Sequence, residues 1–137
     1  MDNLSSASTT AYDIALDSAL VYAKNSILNL TKELREFGDR KSPKFNVLAY
    51  AARQRTKALW EEVFNFFKRN QAFSGTVLHE RLRTRASEAK HAAEYAWLNE
   101  STSSQLDRDK EAAIWTETLE RFEADALRAL NERLAKN

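Results

Sequence analysis

The chain of 137 residues carries a net charge of +1, and it contains two glycines, one proline and no cysteine. One domain with a real core is expected at this length, and the scarcity of turn-forming residues favours long helices over sheets. The lack of cysteine excludes disulfides, thiolate nucleophiles and zinc fingers, and no apolar run is long enough to span a bilayer.

Residues 1–8 are small and polar and predict a flexible N-terminal arm, followed by one helical-bundle domain over residues 9–137. The first helix is predicted over about residues 10–37, with Gly38 as its C-terminal stop. Alternating steps of four and three residues predict a seam that faces partner helices, formed by Leu16, Leu20, Ala23, Ile27, Leu30, Leu34 and Phe37. A second apolar line, expected to lie beside this seam and widen it, consists of Ile14, Val21 and Leu28.

The second helix is predicted over about residues 43–71, because a serine followed by a proline at positions 42 and 43 is a strong helix start. Its heptad line consists of Ala49, Ala52, Thr56, Leu59, Val63 and Phe66. Aromatic side chains lie on and beside this line, and the simplest interpretation places all of them in the core. One bundle core has little room for so many rings, and a ring left outside would serve as an interface anchor. The candidates for such a protein-binding surface are Trp60, Phe64 and Phe67.

The third helix, over about residues 75–98, has a seam rich in alanine, formed by Leu78, Leu82, Ala86, Ala89, Ala93 and Ala96. A polar turn separates it from the fourth helix, over about residues 104–134, for which Ser104 is the predicted N-cap. The inward residues of the fourth helix are predicted to be Trp115, Leu119, Phe122, Ala126 and Leu130. Four long helices joined by short connections predict an all-α, up-down-up-down four-helix bundle.

Positive charge is concentrated in the middle of the chain. Residues 38–91 hold twelve basic and five acidic side chains, a balance of +7, whereas residues 92–137 hold six basic and ten acidic ones, a balance of −4. The basic residues that stand out on the second and third helices are Arg53, Arg55, Lys57, Arg81, Arg83 and Arg85. Two interpretations are open: ion pairing with the acidic fourth helix, which we favour, or contact with phosphates or an acidic partner.

The sequence contains no complete motif for catalysis or metal binding. Glu88 and His91 have the Glu-x-x-His spacing of half a di-iron site, but His79 lacks the matching glutamate three residues before it. The chain has neither a glycine-rich phosphate loop nor a Gly-x-Ser-x-Gly motif. We therefore predict a protein that is not an enzyme, with no catalytic residue, metal, cofactor or small-molecule substrate.

Together these patterns predict a cytoplasmic, non-enzymatic helical protein that acts by binding another protein or copies of itself. An assembly or virion component, an adaptor and a small inhibitor all fit this description. The alternative is a helical protein that binds nucleic acid without sequence specificity, like a coat protein, through the arginines of the second and third helices. Salt dependence separates the two functions, because phosphate binding weakens steeply as salt rises and an apolar interface does not.

Overall fold

Four α-helices and no strand make up the structure, a computed structural model that describes residues 3–136. Their bounds are α1 (Asn3–Gly38), α2 (Val47–Asn70), α3 (Gly75–Asn99) and α4 (Thr102–Ala135). Their arrangement confirms the predicted all-α, up-down-up-down four-helix bundle with short connections. α1 lies against both α2 and α4, and α3 lies mainly against α4.

The first helix begins earlier than predicted, because residues 3–8 of the predicted flexible arm are helical. Ala7 is only 4% exposed, and it starts a buried alanine line with a spacing of four residues. The members of this alanine line are Ala7, Ala11, Ala15, Ala19 and Ala23. Burial of Ala7 gives the first turns of α1 a packing contact that their small polar composition did not suggest. Met1 and Asp2 of the predicted arm lie outside the described residues.

The second helix begins later than predicted, at Val47 instead of residue 43. The Ser42 hydroxyl accepts a hydrogen bond from the Lys44 N–H at 3.1 Å, so it supports a turn inside the connection. Asn46 is the residue that caps α2, because its side chain accepts from the Ala49 N–H at 2.9 Å. Serine and asparagine compete for this role with similar strength, and here the later residue starts the helix.

Serine residues cap the last two helices, one close to the predicted position and one earlier than predicted. α3 begins at Gly75 behind its N-cap Ser74, close to the predicted start. α4 begins at Thr102, because its N-cap is Ser101 and not the predicted Ser104. The Ser101 side chain accepts a hydrogen bond from the Ser104 N–H at 3.4 Å, which leaves Ser104 inside the first turn.

The alanine-rich seam of α3 is confirmed. The buried residues of this helix are Leu78, Leu82, Ala86, Ala89, Ala93 and Ala96. On α4, Trp115 and Phe122 of the predicted inward set are buried, whereas Leu119, Ala126 and Leu130 are half-buried. Phe66 of α2 meets the Trp115 ring edge-on, with centroids 5.4 Å apart, so large rings occupy the space that the alanines leave.

The seam of α1 differs from the prediction. Of its seven predicted residues only Ala23 is buried, because the alanine line forms the enclosed side of the helix and the larger apolar residues stay half-buried at its edge. The second line, Ile14, Val21 and Leu28, is between 45% and 58% exposed, so the expectation that it widens the seam is wrong. At 100° per residue these positions lie roughly 140° from the seam centre, which places them on the outer face.

Gly75 marks a close approach of α3 to α1. A Cβ atom at this position would overlap the Cβ and Cγ atoms of Tyr12. Replacing a helical glycine by alanine ordinarily stabilises a protein by about 0.4–1 kcal/mol. We expect Gly75→Ala to do the opposite and lower the free energy of unfolding by about 1–3 kcal/mol, since the two helices must move apart.

Urea unfolding followed by circular dichroism measures this change, and Gly38→Ala is the matched control. At Gly38 the added Cβ would meet the outer ring atoms of Tyr50 at 2.7 Å, and that ring can swing away. The control is expected to change the free energy of unfolding by less than about 0.5 kcal/mol. Equal effects at the two glycines would contradict the close contact between Gly75 and Tyr12.

Candidate protein-binding surface

The aromatic residues predicted as a protein-binding surface lie inside the bundle. Trp60 is 7% exposed, Phe67 is 0% exposed and Phe64 is half-buried against the same core. Tyr22 of α1 meets the Trp60 ring edge-on at a centroid distance of 5.4 Å, and Phe122 of α4 stacks on Phe67 at 6.0 Å. The alanines of α1 and α3 provide room for these rings, so an exposed aromatic surface does not form at these positions.

Three of the predicted basic residues form ion pairs with α4. The nitrogen–oxygen distances are 3.2 Å for Arg55–Asp107, 3.6 Å for Arg83–Glu123 and 3.2 Å for Arg85–Glu111. The favoured interpretation of the uneven charge, pairing between the basic middle of the chain and the acidic fourth helix, is therefore what the structure contains. The Arg55–Asp107 and Arg83–Glu123 pairs are exposed and contribute at most about 1 kcal/mol each, whereas the Arg85–Glu111 pair is partly buried.

The other predicted basic residues are mostly held within the chain as well. Arg53 pairs with Glu33 of α1 at 3.2 Å, and the Arg81 guanidinium lies over the Phe73 ring at 4.2 Å from its centroid. Lys57 makes no hydrogen bond or ion pair with the described part of the chain. Five of the six candidates thus have intramolecular partners, and these partners divide them among separate contacts.

A different surface stands out at the end of the bundle where α1 connects to α2 and α3 connects to α4. No residue of the range 24–59 is buried, and in the range 94–113 only Ala96 is buried. We call residues 24–59 the basic lobe and residues 94–113 the acidic lobe, and the two together form the open end. Apart from Ala96, the buried residues lie in the other half of the bundle, and the core reaches the open end only through half-buried residues, Ile27, Leu30, Leu59 and Ala112.

Large apolar side chains are nevertheless exposed at the open end. These residues are Leu28, Phe45, Val47, Leu48, Tyr95, Trp97, Leu98 and Leu106. Leu48 on the basic lobe is 83% exposed and Leu98 on the acidic lobe is 84% exposed. Single exposed apolar residues are ordinary, but a concentration of them on one part of a surface is typical of an interaction site.

The two lobes carry opposite charge. The basic lobe holds nine basic and three acidic side chains, a balance of +6, and the acidic lobe holds two basic and five acidic ones, a balance of −3. Arg55 and Asp107 connect the lobes through the ion pair already described, and their side chains are 57% and 54% exposed. The open end therefore presents one positive and one negative apolar surface side by side.

A cavity of about 450 Å³ lies between the two lobes. Its lining from α2 consists of Ala52, Arg55, Thr56, Ala58 and Leu59. Its lining from the acidic lobe consists of Glu100, Ser104, Leu106, Asp107, Arg108, Lys110 and Glu111. A cavity with an apolar lining and charges of both signs at its edge can bind an apolar side chain that has charged residues on either side of it.

The sequence contains a signal for this surface in apolar residues that lie outside the seams. Leu48 precedes the heptad line of α2, and Leu98 lies outside the confirmed seam of α3. Large apolar residues at helix ends that belong to no seam have no assigned partner helix. Such residues are candidates for contacts outside the chain.

The remaining cluster of titratable groups joins three helices. His79 of α3 has its Nε2 atom 2.7 Å from Glu123 of α4 and its Nδ1 atom 3.4 Å from the hydroxyl of Tyr12 of α1. Both ring nitrogens are thereby engaged in contacts that hold the bundle together. Glu88 and His91 are exposed on α3, and the described residues contain no group of three or more side chains placed to bind a metal ion.

Comparison with protein-family models, with curated proteins and with solved structures gave no match. Among the described residues, no helix combines the length and the apolar character that crossing a membrane requires.

Proposed function

We propose that this chain is a non-enzymatic helical protein that acts by binding another protein, or copies of itself, through the open end. The observation that carries the proposal is that 36 consecutive residues of the basic lobe contain no buried side chain. Helices gain most of their stability from packing of an apolar face, and this half of the bundle has almost only half-buried apolar contacts for that purpose. A protein partner that covers the exposed apolar residues would supply that packing.

This role includes adaptors, small inhibitors and components of larger assemblies, and the cytoplasmic location predicted from the sequence belongs to the same proposal. The opposite charges of the two lobes support it, because complementary charge sets the orientation of a partner and excludes partners of the wrong pattern. The working surface is then formed by the open end, and Trp60 and Phe67 contribute by holding the core together.

Site-specific photocrosslinking in the cells of origin tests this function. We expect a photoreactive side chain at Leu48 or at Leu98 to form a discrete protein adduct, because both positions are more than four-fifths exposed at the open end. Leu127 of α4 is the matched control, since it is 59% exposed but lies in the half that contains the core. Adducts that form equally at all three positions, or at none of them, would contradict the proposal.

Nucleic-acid binding without sequence specificity is the second candidate function, and the balance of +6 on the basic lobe supports it. The neighbouring acidic lobe opposes it, since the same backbone phosphates would meet both surfaces. The purified chain separates the two functions. A nucleic-acid binder would carry material that absorbs at 260 nm and would release it as salt rises from low to moderate concentration.

A further inference from the structure

We infer that the partner of the open end is a second copy of this chain, in a dimer with two-fold symmetry. In this dimer the basic lobe of each copy lies on the acidic lobe of the other. The inference rests on the proposed function, because it uses the same surface, and it adds the identity of the partner.

Charge is the first argument for a second copy. A partner with a single sign of charge would be attracted by one lobe and repelled by the other, since the lobes carry balances of +6 and −3. A two-fold axis along the boundary between the lobes places each lobe opposite the lobe of the other sign, so opposite charges meet at both contacts at once. The open end is thus complementary to itself in the way that a symmetric dimer interface requires.

The exposed apolar area is the second argument. Eight large apolar side chains of the open end are between 40% and 84% exposed. Together they present on the order of 800 Å² of surface, which is about what one partner contributes to a stable interface. Four of them lie on the basic lobe and four on the acidic lobe, so each lobe has apolar residues to cover those of the other.

Symmetry fixes which residues meet. In an interface between identical surfaces, if a residue of one copy contacts a second residue of the other, the reverse contact also forms. Leu48 and Leu98 are the most exposed large apolar residues, one on each lobe. We place Leu48 of each copy against Leu98 of the other, with the charged residues of the lobes forming the polar rim.

Light scattering coupled to size-exclusion chromatography, with the full chain at micromolar concentrations, is the first test. The unmodified chain should be a dimer. Leu48→Asp and Leu98→Lys should each weaken the dimer by on the order of 100-fold or more, because each change breaks both symmetry-related contacts. Leu127→Asp is the control and should leave the dimer intact, and unchanged circular dichroism should show that all three variants remain folded.

Mixing the two variants is the sharper test. In the mixed pair, Asp at position 48 of one copy meets Lys at position 98 of the other, and the second contact keeps both leucines. The mixture should therefore form a one-to-one heterodimer although each variant alone is monomeric. A mixture that stays monomeric, or a dimer that Leu48→Asp and Leu98→Lys leave intact, would overturn the inference.

Together with the crosslinking experiment, these outcomes distinguish failure of the dimer from failure of the proposed protein-binding function. A chain that is monomeric at every concentration but crosslinks from Leu48 and Leu98 to a different protein overturns the second copy and keeps the protein-binding function. A monomeric chain that forms no adduct at either position overturns both.

Discussion

Replacing Phe67 by alanine should lower the free energy of unfolding by about 3–5 kcal/mol, the range for a phenylalanine removed from a packed core. Phe67 is 0% exposed, and its ring lies between Phe66, at a centroid distance of 5.6 Å, and Phe122, at 6.0 Å. The void left by the ring would be lined by other large aromatic groups that have little freedom to collapse into it. The loss is large relative to the total stability of this bundle, because almost all of its buried residues lie in the half that contains Phe67.

Urea unfolding monitored by circular dichroism measures this loss, and Phe45→Ala is the matched control. Phe45 is 40% exposed on the basic lobe, so its removal should cost less than about 1 kcal/mol in the monomer. The comparison also decides what Phe67 does. If Phe67 were instead an exposed interface anchor, the alternative that the sequence left open, its alanine variant would lose binding and keep its stability.

The sequence was sufficient to predict the fold and one complete seam. The six buried residues of α3 match its predicted seam because small alanines at regular spacing leave only one side on which a neighbour can approach. α1 was harder to predict, because it packs against two helices at once. Its alanine line and its leucine seam are both apolar, and spacing alone does not tell which of them a neighbour encloses.

The candidate site was harder still, for a physical reason. A heptad line indicates which side of a helix would face a partner, but it does not say whether a partner from the same chain comes close enough. The lines of α1 and α2 continue through Leu34 and Ala52, yet neither residue is buried. The pairing of Arg85 with Glu111 was easier to anticipate, because opposite charge on neighbouring helices was visible in the sequence.

The alanine line of α1 leads to a second large effect. Ala15 is 0% exposed, and Ser18 in the next turn donates a hydrogen bond to the Asp125 carboxylate of α4 at 2.9 Å, so the two helices are close at this level. Ala15→Leu should lower the free energy of unfolding by about 1–3 kcal/mol, because three additional heavy atoms would force the helices apart. Leucine and alanine have similar helix propensities, so the loss would come from packing.

Ala124→Leu is the control for this substitution, since Ala124 is exposed on α4 and the same side chain can extend into solvent there. It should change the free energy of unfolding, measured in urea, by less than about 0.5 kcal/mol. Ile14→Ala completes the comparison, because Ile14 is 45% exposed and precedes Ala15 directly. A small loss at Ile14 with a large loss at Ala15 would locate the enclosed side of α1 at the alanines. The reverse order would restore the second apolar line that the sequence suggested, and it would place a partner helix on the outer face of α1.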